Sequence, residues 1–120
     1  MNLPLPKRDL PLPHHRLIAY AVAKELLVAV VEARIKDGEI KDQALRAAKG
    51  CALNIAEAAG RQSVKDKARV FAIARGEAAE AAAAIEIAAL IGAAESSSAE
   101  RVNQLAGRLV ALLTGLIRAG

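Results

Sequence analysis

The sequence predicts an all-α protein, an up-down antiparallel four-helix bundle with a proline-rich N-terminal arm. Hydrophobic residues make up 54% of the 120 residues and aromatic residues only 2%. The core must therefore be built from Ala, Leu, Ile and Val, a composition typical of closely packed helices. Four segments repeat apolar residues at helical spacing and are bounded by glycine or serine. All four prolines fall within residues 1–13.

The predicted arm covers residues 1–14, and the predicted bundle covers residues 15–120. Because proline at this density blocks a helix, we expect the arm to be extended, with leucines that either dock on a neighbour or stay free. The first helix is predicted from His15 to Lys36, ending at the glycine of the Asp37-Gly38 pair. It is apolar over most of its circumference, unlike a surface helix of a small monomer. This pattern predicts burial against other subunits.

The second and third helices are predicted to meet at a corner. The second runs from Glu39 to Ala59 and carries small residues on its inner side, which let helix axes approach closely. The third begins after Ser63, a good N-cap, and continues to about Ile91. Gly76 lies in its interior, where glycine costs about 1 kcal/mol relative to alanine. We therefore expect another backbone to approach closely at Gly76.

The fourth helix has the clearest amphipathic pattern. Either Ser97 or Ser98 is expected to cap it, and it runs to about Arg118. Its inward face is predicted to consist of Val102, Leu105, Leu109, Leu112, Leu113, Leu116 and Ile117. Because the loops between successive helices are short, neighbouring helices are antiparallel, which gives the up-down order.

The net charge of +4 is distributed unevenly. Residues 61–75 hold five basic residues and one acidic residue, whereas residues 76–100 hold five acidic residues and no basic one. A solvated surface, a polyanion-binding end and a contact between unlike subunit patches would each explain this pattern. Six basic residues are expected around the corner between the second and third helices and are the candidate nucleic-acid contacts: Arg46, Lys49, Arg61, Lys65, Lys67 and Arg69.

A compact polar group lies in the segment LNIAEAAGRQS, residues 53–63. Asn54, Glu57 and Arg61 either contact a ligand or stabilise the corner. In the second case Asn54 makes a hydrogen bond between helices, and Glu57 pairs with Arg61 four residues later. The residues assigned to this structural corner are Asn54, Glu57, Gly60, Ser63 and Gly76.

The sequence does not support an enzyme. His14 and His15 are adjacent, and the Glu-x-x-His motif of carboxylate-bridged metal pairs does not occur. Cys51, the single cysteine, has no evident catalytic partners and is expected to be an inert thiol. No catalytic residue, metal or cofactor is predicted. Charged residues interrupt the Leu17 to Ile35 run and no secretory signal is evident, which predicts a soluble cytoplasmic protein without a membrane span.

Two segments, LRAAKGCALNIAEAAGRQS and IARGEAAE, resemble a four-helix-bundle family encoded in bacterial ribosomal RNA intervening sequences. This family also includes the accessory variability determinant protein of diversity-generating retroelements. The matching positions are Leu45, Arg46, Ala47, Ala48, Asn54, Ile55, Ala56, Glu57, Gly60, Arg61, Ser63, Arg69, Ile73, Ala74, Gly76 and Glu80. The resemblance implies a homopentamer joined through apolar and small-residue faces, with no known catalytic activity. For the retroelement branch it also implies a basic surface that binds nucleic acid and a reverse transcriptase.

The leading hypothesis is therefore a non-enzymatic, homo-oligomeric adaptor, pentameric by resemblance, that associates with RNA or DNA through basic surface residues. A reverse transcriptase is a further candidate partner. The alternative is a purely structural or protein-binding oligomeric scaffold that does not bind nucleic acid.

Overall fold

The computed structural model describes residues 11–119, which form one short 3-10 turn and four long α-helices. The turn spans Pro13–Arg16, and the helices are α1 (Ile18–Glu32), α2 (Gly38–Gly60), α3 (Val64–Leu90) and α4 (Ser96–Ala119). No strand occurs in this part of the chain, so the predicted all-α class is confirmed. The predicted arm before Pro11 lies outside the described residues.

The helices pack in the predicted up-down order. Each helix contacts the one before and the one after it, and α1 also contacts α4. Across the bundle, α1 touches α3 at a few points, whereas the described backbones of α2 and α4 stay apart. The cross-section is therefore a rhombus with α1 and α3 on its short diagonal, and the protein is flattened, measuring 50 × 38 × 20 Å. As a result, α1 and α3 turn their outer faces toward opposite sides of the protein.

Small side chains dominate the core where α2 meets α3. The buried alanines of these two helices are Ala44, Ala47, Ala48, Ala52, Ala58, Ala74, Ala78, Ala81, Ala82, Ala84 and Ala88. The largest fully buried side chains are Leu26, Ile55, Ile85, Leu109 and Leu113. Alanine lets the two helix axes approach, and the larger residues fill the centre between all four helices. None of the helices between residues 11 and 119 is both long and apolar enough to cross a membrane.

The first helix is shorter than the predicted segment from His15 to Lys36. It begins at Ile18 because the Pro13–Arg16 turn precedes it, and it ends at Glu32. Proline is well suited to the first position of such a turn, since its missing N–H would have no partner there. The turn that begins at Pro13 therefore moves the start of the first helix from the predicted His15 to Ile18.

Arg34, not Gly38, takes the left-handed conformation after α1. Arg34 has a φ of 48°, while Gly38 is the first residue of α2. The N-cap of α2 is Asp37, whose carboxylate accepts a hydrogen bond from the N–H of Ile40 at 2.9 Å. An aspartate that satisfies a free N–H starts a helix. The prediction that Asp37-Gly38 ends the first helix is therefore wrong.

The corner of α2 and α3 is formed as predicted, whereas the start of α4 is not. Ser63 caps α3, because its Oγ accepts a hydrogen bond from the N–H of Asp66 at 3.0 Å. At the other end of α3, Gly92 has a φ of 78°, a left-handed conformation that suits glycine. The fourth helix begins one residue before Ser97, so Ser97 and Ser98 lie in its first turn and the predicted cap is wrong.

Candidate nucleic-acid interface

Four charged side chains form a connected network of ion pairs at the corner between α2 and α3. Arg61 donates from Nη2 to Glu57 Oε1 at 2.7 Å and from Nη1 to Asp66 Oδ2 at 3.0 Å. Arg69 donates to the second oxygen of Asp66, Oδ1, from Nε at 3.2 Å and from Nη2 at 3.0 Å. The predicted pairing of Glu57 with Arg61 is confirmed. Two of the candidate nucleic-acid contacts thus also hold the corner together.

These ion pairs shift the pKa of two groups. The hydrogen bonds from Arg69, followed by the positive charges of both arginines, hold the pKa of Asp66 below its usual value. The hydrogen bond to Glu57, followed by the charge of Asp66, raises the pKa of Arg61. The Arg61 and Asp66 side chains are 38% and 31% exposed, so water screens their attraction. The network therefore orients the corner more than it stabilises the fold.

Asn54 joins α2 to α3. Its Nδ2 donates to Glu77 Oε1 at 2.7 Å, across a sequence separation of 23 residues. The hydrogen bond between helices, one of the two roles considered for Asn54, is confirmed. Glu77 was not among the predicted site residues. Because its partner lies on a different helix, the bond depends on the register of α2 against α3.

Gly50, not Gly76, is the position where a side chain would collide with a residue of a neighbouring helix in the same protomer. A Cβ on Gly50 would collide with the Glu77 carboxylate, so the absence of a side chain accommodates the bond from Asn54. Gly50 lies four residues before Asn54 and shares its helix face, which is the sequence signal that was missed. Gly76 is exposed, and apart from its chain neighbours and its own helix backbone no atom of the described chain lies within 4 Å of its would-be Cβ. The predicted close approach at Gly76 is therefore wrong within one protomer.

The six candidate basic contacts do not form one cluster. Arg46 and Lys49 are exposed on α2, 15 and 12 residues before Arg61. At 1.5 Å per residue they lie about 22 Å and about 18 Å from the corner along the helix axis. Their predicted place at the corner is wrong because a straight helix separates them from it. The corner keeps four basic residues against two acidic ones, a net charge of +2, from Arg61, Lys65, Lys67, Arg69, Glu57 and Asp66.

Beside the corner lies an apolar groove of about 650 Å³, which we call the end groove. Its lining includes Leu17, Phe71 and Leu116, together with the two basic residues Arg16 and Lys67. The groove lies at the end of the bundle where α2 and α4 end and α3 begins. Lys67 therefore belongs to both the end groove and the basic corner, whereas Lys65 is exposed to solvent.

Two helices expose apolar residues on the sides of the bundle. The α3 face consists of exposed residues that recur every three or four positions: Ile73, Gly76, Ala79, Ala83, Ile87 and Leu90. The α1 face consists of Ile18, Ala21, Val28 and Val31, all exposed. Leu90 is 84% exposed, the largest value among the large apolar side chains of residues 11–119. These faces lie on opposite sides, because α1 and α3 occupy the short diagonal of the rhombus.

Cys51 is buried and chemically protected. Burial, followed by the negative charge of Glu77, raises the pKa of the thiol to about 12. Because only the thiolate reacts readily, we expect a thiol reagent to leave Cys51 unmodified at pH 8 in the folded protein and to modify it fully in concentrated urea. Colorimetric thiol titration with and without urea measures this. Rapid modification of the folded protein would contradict the buried position.

One protein-family model covers most of the chain, including the corner of α2 and α3. The family profile described as 23S rRNA-intervening sequence protein matches residues 15–115. The chain belongs to this family. The resemblance drawn from the LNIAEAAGRQS and IARGEAAE segments is thus confirmed at the level of the family, and the retroelement branch remains a prediction. No curated protein sequence matches the chain significantly.

In this member of the family, the two histidines pack with an aromatic side chain. The ring centroid of His14 lies 4.2 Å from that of His15 and 4.6 Å from that of Tyr20. Lys24 Nζ lies 5.0 Å from the centroid of the same tyrosine ring. Within residues 11–119, no three His, Cys, Asp or Glu side chains converge in an arrangement that would hold a metal ion.

Proposed function

We propose that the protein is a non-enzymatic, homo-oligomeric adaptor, pentameric by family resemblance, that associates with RNA or DNA through the corner of α2 and α3. The observation that carries this proposal is the pair of exposed apolar faces on opposite sides of the bundle. With two such faces, each copy can contact two neighbours. Every added copy then repeats the same basic corner in the assembly.

The composition of the α3 face suits contact with another helix. Leu90 and Ile87 supply apolar area, and burying such area contributes about 25 cal/mol per Å². Gly76 and Ala83 supply positions where a second helix can come close, because they carry little or no side chain. Contiguous exposed apolar surface marks interaction sites in folded proteins. Self-association explains why so much of it remains exposed in a single copy.

The corner offers phosphate contacts in the first turns of α3. Lys65 is exposed and makes no salt bridge among residues 11–119. Arg69 is 59% exposed and uses only two of its three nitrogens on Asp66, so Nη1 remains available. The positive end of the α3 dipole adds to this charge. One corner binds weakly, but several corners on one assembly bind the same polyanion with avidity.

We expect labelled RNA and DNA duplexes to bind the protein with an affinity that falls steeply as salt rises from 50 to 200 mM, since phosphate contacts release counterions. The double variant Lys65→Ala/Arg69→Ala should weaken binding and reduce the slope of log K against log salt by about 2 for each engaged protomer. Fluorescence anisotropy at several salt concentrations measures both quantities.

The matched control for this experiment removes two arginines from another surface. Arg101 and Arg108 are exposed on α4, and the variant Arg101→Ala/Arg108→Ala lowers the net charge by the same amount. The slope and the affinity should change far less in this control. Equal losses of affinity in both variants would mean that binding depends on the net charge and not on the corner. Binding that is undetectable or independent of salt would remove the nucleic-acid function.

A structural or protein-binding scaffold is the second candidate. The observation in its favour is that Arg61 and Arg69 are already bonded to acidic residues of the corner, which reduces the charge left for phosphate. A stable assembly that copurifies without nucleic acid and does not bind the labelled duplexes would support this alternative. The association with a reverse transcriptase, which the retroelement branch of the family implies, also remains a prediction.

A further inference from the structure

The end groove opens where the described chain begins. Pro11 and Pro13 line it beside Leu17, Phe71 and Leu116. Its volume of about 650 Å³ falls within the range of pockets that enclose apolar ligands. The groove is thus an apolar recess at one end of the bundle, and its lining includes Pro11, the first described residue.

A folded turn fixes the direction of the chain at the edge of this groove. The N–H of Leu12 donates to His15 Nδ1 at 3.1 Å, and the N–H of His15 donates to the carbonyl oxygen of Leu12 at 3.0 Å. Pro11 and Pro13 each restrict φ to about −65°. The described part of the chain therefore begins at a defined position beside the groove.

The ten residues before Pro11, MNLPLPKRDL, match the chemistry of the groove. They contain three leucines for its apolar walls, and the two prolines favour an extended chain that loses little entropy on docking. At 3.1 Å per residue an extended segment of this length spans up to about 31 Å. Its single acidic residue, Asp9, matches the basic residues Arg16 and Lys67 of the lining.

We propose that residues 1–10 dock in the end groove of their own chain, with their leucines against its apolar walls. A short tether keeps the segment at an effective concentration in the millimolar range, which favours the groove of its own chain over that of a neighbour. The inference goes beyond the proposed function and holds whether or not nucleic acid binds.

Disulfide trapping in the full-length protein tests this placement. In a Cys51→Ala background, the pair Leu5→Cys/Val64→Cys places one thiol in the arm and one in the groove lining. We expect rapid formation of a disulfide within one chain under mild oxidation, seen by mass spectrometry and on a non-reducing gel. The same pair in a Leu3→Ser/Leu10→Ser variant should form it several-fold more slowly, because the docked leucines are lost.

The serine variant separates docking from simple tethering. Equal rates with and without Leu3 and Leu10 would mean that the arm meets Val64 only by diffusion, and would overturn the proposal. A disulfide between two chains would also overturn it by assigning the groove to the arm of a neighbouring subunit. Circular dichroism of each variant checks that the helices are intact, so that a slow reaction reports on the arm.

Discussion

Replacing Leu109 with alanine is expected to lower the free energy of unfolding by about 3 kcal/mol, since leucine-to-alanine changes in a core cost about 2 to 5 kcal/mol. Leu109 is fully buried in α4 and faces the centre of the bundle. The buried alanines of α3, which packs against α4, have no side-chain freedom with which to refill the space. The cavity left by Leu109→Ala therefore stays open, and its walls lose van der Waals contacts.

Urea unfolding followed by circular dichroism measures this change. Protomer concentration must be held fixed, because self-association would make the apparent stability depend on concentration. The control is Leu53→Ala, at a position that is 70% exposed on α2 and should change the stability by less than about 0.5 kcal/mol. Similar losses in the two variants would mean that Leu109 is not a central core residue.

The variant Gly76→Leu is expected to abolish or severely weaken the proposed assembly while leaving the protomer folded. Apart from its chain neighbours and its own helix backbone, nothing in the described chain lies within 4 Å of a Cβ at Gly76, and the position is exposed, so we expect a leucine there to extend into solvent in a single copy. It even improves the helix propensity of α3 by nearly 1 kcal/mol. In an interface that uses the α3 face, the same side chain would separate two closely packed helices.

Light scattering coupled to gel filtration, or native mass spectrometry, gives the mass of the assembly. The matched control is Gly107→Leu, because Gly107 is also exposed in the middle of a helix, α4, with nothing within 4 Å of a would-be Cβ. We expect the control to keep the mass of the unmodified protein. If Gly76→Leu also keeps it, the α3 face is not the subunit contact.

The sequence was sufficient for the features that depend on local spacing. Ser63 was predicted as a cap because its hydroxyl needs only the N–H three residues later. Glu57 and Arg61 were predicted to pair because residues four apart are neighbours on any helix. The C-terminal end of α1 was misjudged because Asp37-Gly38 fits both the end of one helix and the start of another. The hydrogen bond that the Asp37 carboxylate accepts from the N–H of Ile40 makes this pair the start of α2.

The features that depend on how helices lie against one another were not predicted. The bond from Asn54 to Glu77 and the space left by Gly50 require the register of α2 on α3, which amphipathic patterns leave undetermined. Six basic residues were placed together at the corner because they are near one another in the sequence. This grouping ignored the length of α2, which separates two of them from the corner. Arg46 therefore lies far from the corner it was assigned to. Sequence spacing predicted contacts within one helix turn better than the arrangement of residues that lie far apart in the fold.

The opposite placement of the α1 and α3 faces has a consequence for symmetry. A ring with an odd number of copies cannot be built from two-fold contacts, so it needs two different faces joined head to tail. The short diagonal of the rhombus provides two such faces. Whether head-to-tail growth ends in a closed ring or continues as a filament depends only on the rotation at each contact. Substitutions at the edges of the α1 or α3 face that alter this angle should therefore produce fibres rather than monomers.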